Sequence, residues 1–124
     1  MERAVVLDPA FVRAVDHFNR GQYFDAHEAW EEGWTSNFEK GLIQAAAALL
    51  HFERGNLHGA RRLYAGSRGY LEPYRPRFQG IELEPFVAGM ERCFAELLST
   101  VEGSGSNIGF EKKLVPRIDV PVQL

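Results

Sequence analysis

A histidine and a glutamate four residues apart are the side chains of this sequence whose types and spacing best suit chemistry. His27 and Glu31 lie in a segment whose hydrophobic pattern predicts a helix from about Gln22 to Trp34. Side chains four residues apart on a helix can reach each other or one shared ligand. An imidazole beside a carboxylate can act as a general base with its orienting partner, or as two ligands of a divalent metal ion. His27 and Glu31 are therefore the candidate catalytic pair.

Neighbours for this pair come from the same helix and from the next one. At about 100° per residue, Trp30 and Trp34 share the face of His27. The next predicted helix is apolar around most of its circumference and carries two polar side chains seven residues apart. Because consecutive helices joined by short turns pack antiparallel, those side chains could stand opposite His27. The candidate ligand-binding residues are Glu28, Trp30, Trp34, Gln44 and His51, and the candidate metal ligands are His27, Glu31 and His51.

Each of these residues also has a purely structural interpretation. A histidine and a glutamate one turn apart can simply be a hydrogen-bonded pair, and Gln44 and His51 can belong to a satisfied polar network in the core. The zinc-protease helix motif is excluded, because it needs a second histidine at the position that Glu31 occupies. The sequence leaves both interpretations open.

An internal repeat adds one more candidate. The run from His17 to Gly21 recurs as His51 to Gly55, at an offset of 34 residues, which is the period of tetratricopeptide helix hairpins. Since both units carry the histidine, it could equally serve helix-end packing. In tetratricopeptide stacking the second and fourth helices lie side by side. That arrangement would place Arg61 near His27 and Glu28, so Arg61 joins the candidate ligand-binding residues.

Length and helix signals predict one all-α domain. The 124 residues, 45% of them hydrophobic, are enough for one core. Asp8-Pro9 and Asn56 are helix starts, and Gly21 is a helix end. Residues 73 to 84 have the composition of a loop, and no window before residue 107 alternates as a strand does. We expect a compact bundle of about five helices with tetratricopeptide-like helix hairpins.

The last part of the chain is expected to leave this bundle. Gly103-Ser104-Gly105-Ser106 has the composition of a flexible joint, and the apolar segment from Leu114 to Val122 is broken by two prolines. Such a segment cannot form a helix or a central strand. We predict a single helical domain over residues 1–102. Over residues 103–124 we predict the joint and an extended arm, which lies on the helical body or on a second copy in a homodimer.

Composition excludes several classes of protein. Fourteen basic residues against 17 acidic ones give a net charge of -3, which does not favour nucleic-acid binding. A single cysteine, Cys93, excludes an internal disulfide and a cysteine-cluster metal site. The N-terminus lacks the apolar region of a signal peptide, and the most apolar stretch is shorter than the roughly 18 residues of a membrane span. We therefore expect a protein of the cytoplasm without a membrane segment.

A combined motif carries a resemblance to a known family. Over about residues 15 to 75 the chain is similar to the small bacterial and archaeal proteins grouped as domain of unknown function, family 309. The resemblance implies an all-α fold and names no reaction. It rests on Phe18-Asn19-x-Gly21-x-Tyr23-Phe24-x-Ala26-His27-Glu28-x-Trp30-Glu31-x-x-Trp34, then Gly41-x-x-Gln44-x-x-Ala47-x-x-x-His51, then Gly55-Asn56-x-x-Gly59-Ala60. Its polar positions are His27, Glu28, Glu31, Gln44, His51 and Asn56.

Two classes of function follow from these observations. In the first, a polar pocket between the second and third helices binds a small ligand or performs metal-assisted hydrolysis, with His27 as base or metal ligand and Glu31 as its partner. In the second, the chain is a non-catalytic, helical-repeat-like module that binds a peptide or a partner protein, and the polar cluster is internal scaffolding. Whether the protein is an enzyme is left open.

Overall fold

Five α-helices make up most of the computed structural model, which describes residues 5–33, 36–100 and 108–123. The helices are α1 (Pro9–Asn19), α2 (Tyr23–Glu32), α3 (Asn37–Glu53), α4 (Leu57–Leu71) and α5 (Leu83–Ser99). Asp8 caps α1 by accepting a hydrogen bond from the Ala10 N–H at 2.8 Å. Asn56 caps α4 in the same way, accepting from the Gly59 N–H at 3.1 Å. The predicted all-α bundle of about five helices is confirmed.

The 34-residue repeat corresponds to two helix corners with the same backbone geometry. α1 and α3 are each followed by a glycine with positive φ, 76° at Gly21 and 83° at Gly55, a conformation that side chains disfavour. The residue after each glycine donates its N–H to the carbonyl of the repeated histidine, Gln22 to His17 at 2.9 Å and Asn56 to His51 at 2.8 Å. The repeat is thus structural at these corners, while the wider likeness to tetratricopeptide arrays stays a prediction.

α3 is the central helix of the bundle and packs against both α2 and α4. The two helices α3 and α4 are close enough for Ser67 on α4 to donate a hydrogen bond to the Gly41 carbonyl on α3 at 2.8 Å. α5 joins the same core through Phe94. That ring lies 5.2 Å from the ring of Phe52 on α3 and 4.6 Å from the ring of Tyr64 on α4, measured between centroids.

A short β-hairpin lies between α4 and α5, where the sequence predicted only a loop. β1 (Arg77–Phe78) pairs antiparallel with β2 (Ile81–Glu82). Gln79 and Gly80 between them have positive φ angles of 51° and 76°, which suit the two-residue turn that matches the twist of paired strands. The prediction of no strand before residue 107 was wrong here, because strands of two residues are too short to show alternation.

The C-terminal arm, described over residues 108–123, lies against the helices of its own chain. Asn19 at the end of α1 donates to the Ile118 carbonyl and accepts from the Ile118 N–H, each at 2.8 Å. The Ile118 side chain is buried in the core. The Leu7 N–H donates to the Gln123 side-chain oxygen at 2.9 Å. Of the two predicted placements of the arm, the described residues adopt the one on the helical body.

Two further expectations concern segments rather than packing. The predicted joint at Gly103-Ser104-Gly105-Ser106 lies outside the described residues. Within the described ranges, no helix has the length and apolar character that crossing a bilayer requires.

Candidate functional site

The His27–Glu31 pair lies beside the buried face of α2. Tyr23, Ala26 and Trp30 turn toward the core and are buried. His27 Nε2 lies 3.5 Å from Glu31 Oε1, and the two side chains are 28% and 57% exposed. One turn of helix therefore places an imidazole and a carboxylate side by side, with both groups reachable from solvent.

A groove formed by α2, α3 and α4 lies on one side of this pair, and we call it the α2–α4 groove. Its volume is about 270 Å³. Three apolar side chains, one from α4 and two from α3, form much of its surface, and Lys40 and Gln44 add polar groups. The residues that line it are His27, Glu31, Lys40, Ile43, Gln44, Ala47 and Leu63.

Gln44 lies in this groove because a glycine faces it from α4. A Cβ atom at Gly66 would collide with Gln44 Oε1. The amide can therefore lie against α4 only because position 66 carries no side chain. Its place in the same groove as His27 agrees with the antiparallel packing expected of consecutive helices.

A second depression, which we call the acidic depression, lies on the outer side of the pair. It has a volume of about 370 Å³ and is lined by residues of α2 alone, Phe24, His27, Glu28, Glu31 and Glu32. Phe24 is 50% exposed. Glu28, a predicted ligand-binding residue, thus lies beside the pair on the outer face of the helix rather than in the α2–α4 groove.

His51 is not brought to the pair. It lies seven residues beyond Gln44, or about 10 Å along the helix axis, and its Nδ1 is 3.0 Å from Asn56 Nδ2 at the helix corner. In the part of the chain that the structure describes, no group of three or more His, Cys, Asp or Glu side chains is placed to hold a metal ion. The predicted metal set of His27, Glu31 and His51 is therefore not assembled.

Arg61 and Trp30 also differ from their predicted places. Arg61 Nη2 donates to the carbonyls of Leu97 and Thr100, both at 3.1 Å, so its guanidinium caps the C-terminal end of α5. Trp30 is 1% exposed and belongs to the core rather than to a wall of the groove. Trp34 lies outside the described residues.

Three residues that contact the pair's surroundings were missed by sequence reasoning. Phe24 could have been predicted from the sequence, because it is an aromatic residue outside the apolar stripe of its helix. Lys40 could also have been predicted, because it lies four residues before Gln44 and so shares the same side of α3. Leu63 could not have been predicted as a lining residue, because its position depends on how α4 is aligned against α3.

Two buried titratable groups lie outside the groove. Burial raises the pKa of the Cys93 thiol to about 11 and raises the pKa of the Tyr23 hydroxyl above its ordinary value. Both groups therefore stay protonated at neutral pH. Cys93 is a core residue, as the sequence predicts, and lacks the thiolate character that a nucleophile needs.

Comparison with known proteins agrees with the family resemblance. The model of the family described as a domain of unknown function (DUF309) matches residues 11–63, which contain the pair, Gln44 and both helix corners. An uncharacterized protein of Bacillus subtilis (strain 168), YpuF, is 42% identical over 57 residues. That match covers 40% of this chain and 33% of YpuF, so the chain spans about a third of the length of the curated relative that it matches.

Proposed function

We propose that the protein is a binding protein whose recognition site is the α2–α4 groove, with His27 and Glu31 as the principal polar contacts. The observation that carries this proposal is that one exposed pair lines two depressions at once, one with apolar walls and one acidic. The imidazole and the carboxylate offer a hydrogen-bond donor and acceptors together. A mainly apolar surface with a few polar groups is typical of ligand sites.

Catalysis has less support from the same residues. Hydrolysis by a serine, threonine or cysteine nucleophile needs an activated hydroxyl or thiol, and none of the residues that line the two depressions is Ser, Thr or Cys. Metal-assisted hydrolysis needs about three protein ligands, and His27 and Glu31 are joined by no third ligand of this kind in the described residues that could complete a site. The metal-assisted hydrolase that the sequence suggests therefore ranks below the binding function.

We retain the cytoplasm as the proposed location and a homodimer through the arm as a proposed assembly. The single cysteine supports the cytoplasmic location, because disulfides are rare in a reducing compartment and this sequence has no second cysteine with which to form one. The described residues of the arm bond to their own chain. A homodimer would therefore exchange these contacts between two copies.

The binding function is tested by a fragment screen that uses backbone amide NMR spectra of the whole chain. Fragments that combine an aromatic ring with an amide should shift the amide signals of Ala47 and Leu63 together. Ala47→Leu fills the groove and should abolish these shifts. Ala65→Leu, which changes an exposed alanine of α4, should leave them unchanged. Shifts that cluster away from the groove, or that persist in Ala47→Leu, contradict the proposal.

A further inference from the structure

α2 carries more negative charge than its own stability favours. From Tyr23 to Glu32 it has four carboxylates, no lysine and no arginine. Glu28 lies about one turn from Asp25, from Glu31 and from Glu32, and like charges at such spacing destabilise a helix. The C-terminal end of a helix also disfavours negative charge, and two of the glutamates lie there. Stability of the helix therefore does not account for Glu28 and Glu32.

Several carboxylates on other elements have basic partners within the bundle. Glu91 of α5 pairs with Arg68 at 2.6 Å, and Glu84 pairs with Arg75 at 2.7 Å. Of the α2 carboxylates, Glu31 has His27 as a basic neighbour, and among the described residues the lining of the acidic depression includes no lysine or arginine. In that lining, Glu28 and Glu32 thus have no lysine or arginine beside them to neutralise their charge.

The shape around this charge suits an extended occupant. The acidic depression and the α2–α4 groove share His27 and Glu31, so the two surfaces are continuous across the pair. One surface offers carboxylates beside the half-exposed Phe24 ring, whose face attracts cations. The other offers the apolar side chains of Ala47 and Leu63.

We propose that this continuous surface docks a segment of a partner protein in which arginine or lysine side chains alternate with apolar ones. The proposal rests on the proposed binding function and names its partner. The cationic groups contact Glu28 and Glu32 in the acidic depression, and an apolar side chain enters the groove beside Ala47. Charge complementarity selects such a partner and speeds its association.

The same features argue against other occupants. Four exposed carboxylates repel the phosphates of a nucleic acid. Small molecules favour enclosed sites that bury most of their surface, whereas here the contacts are spread over two depressions on either side of a surface pair. A chain segment can use both depressions at once, which a small cation cannot.

The test uses the full chain and a fluorescent dodecapeptide that alternates leucine with arginine. Its matched control peptide carries citrulline, a neutral analogue, in place of arginine. Glu28→Gln/Glu32→Gln should weaken binding of the arginine peptide about tenfold. Glu96→Gln/Asp119→Asn removes the same charge from exposed positions on α5 and the arm, and should weaken it less than about twofold. The citrulline peptide should bind no better to the unaltered chain than the arginine peptide binds to Glu28→Gln/Glu32→Gln.

Thermal unfolding guards against a trivial loss of structure. The melting temperature of Glu28→Gln/Glu32→Gln should equal or exceed that of the unaltered chain, because like-charge repulsion is relieved. Equal weakening by both double variants, undiminished binding of the citrulline peptide, or spermidine binding with the same dependence on Glu28 and Glu32 overturns the proposal. If fragments bind the groove but the arginine peptide does not bind, the binding function stands and this inference fails.

Discussion

Two histidines at equivalent corners of the repeat have opposite roles in their hydrogen bonds. His17 Nδ1 lies 2.7 Å from the oxygen Gln22 Oε1, so this ring nitrogen must donate. His51 Nδ1 faces the nitrogen Asn56 Nδ2 at 3.0 Å. The Asn56 amide is fixed in that orientation, because its oxygen already accepts from a backbone N–H. The His51 Nδ1 atom must therefore accept. The two equivalent corners thus hold different imidazole tautomers.

We predict that NMR spectra of the ring nitrogens, recorded at about pH 8, show a proton on Nδ1 of His17 and on Nε2 of His51. Asn56→Asp replaces the donor with an acceptor and should move the His51 proton to Nδ1. Gln22→Glu keeps an acceptor and should leave the His17 tautomer unchanged. Identical tautomers at both corners would contradict the assigned hydrogen bonds.

At the scale of secondary-structure elements, the contact between α3 and α4 depends on a glycine of α3. A Cβ atom at Gly41 would lie 2.7 Å from Leu71 and 3.3 Å from the Cβ of Tyr70. Leu71 is 2% exposed and cannot move aside into solvent. The hydrogen bond from Ser67 to the Gly41 carbonyl requires the same short separation. The position of α4, and with it one side of the groove, thus depends on residue 41.

Gly41→Ala is expected to lower the free energy of unfolding by about 1–3 kcal/mol, as overpacking does in a filled core. Gly69→Ala is the matched control, because nothing lies within 4 Å of a Cβ at that position of α4. It should raise stability by about 0.5–1 kcal/mol, since alanine is the better helix former. Urea unfolding measures both variants, and a neutral Gly41→Ala would show that the helices can separate without cost.

The helices were predictable from the sequence to within a few residues, because their boundaries are set locally by Asp8-Pro9, by Asn56 and by the two glycines that follow α1 and α3. His27 and Glu31 were predictable as neighbours for the same reason, since one helix places both. The position of His51 away from the site was not predictable, because the sequence does not show which turn of α3 lies opposite the pair on α2. The hairpin was missed because turn geometry, rather than periodicity, forms it.

At the scale of the whole molecule, the arm joins parts of the chain that are distant in sequence. The ring of Phe110 lies 5.3 Å from that of Phe52 and 6.3 Å from that of Tyr23. Lys112 lies 5.6 Å over the ring of Tyr23. Together with the paired hydrogen bonds of Ile118, these contacts cover the end of the bundle where both helix corners lie. The arm is therefore part of the folded body.

Asn19→Ala is expected to destabilise the fold by about 1–3 kcal/mol, because it leaves the buried backbone groups of Ile118 without partners. It should also speed cleavage by trypsin after Lys112 and Lys113, since the arm is held less firmly. Asn37→Ala, at an exposed asparagine of α3, should change stability by less than about 0.5 kcal/mol. Equal cleavage rates in the two variants would mean that Asn19 does not anchor the arm.

The contact between Val5 and Gln123 has a practical consequence. Gln123 donates a hydrogen bond to the Val5 carbonyl at 3.1 Å, while the neighbouring Val6 and Val122 are both 82% exposed. Cysteines introduced at these two valines could carry a donor and an acceptor dye, and the buried Cys93 would stay unlabelled. Energy transfer between the dyes would then follow detachment of the arm in single molecules, with every bundle residue left as nature has it.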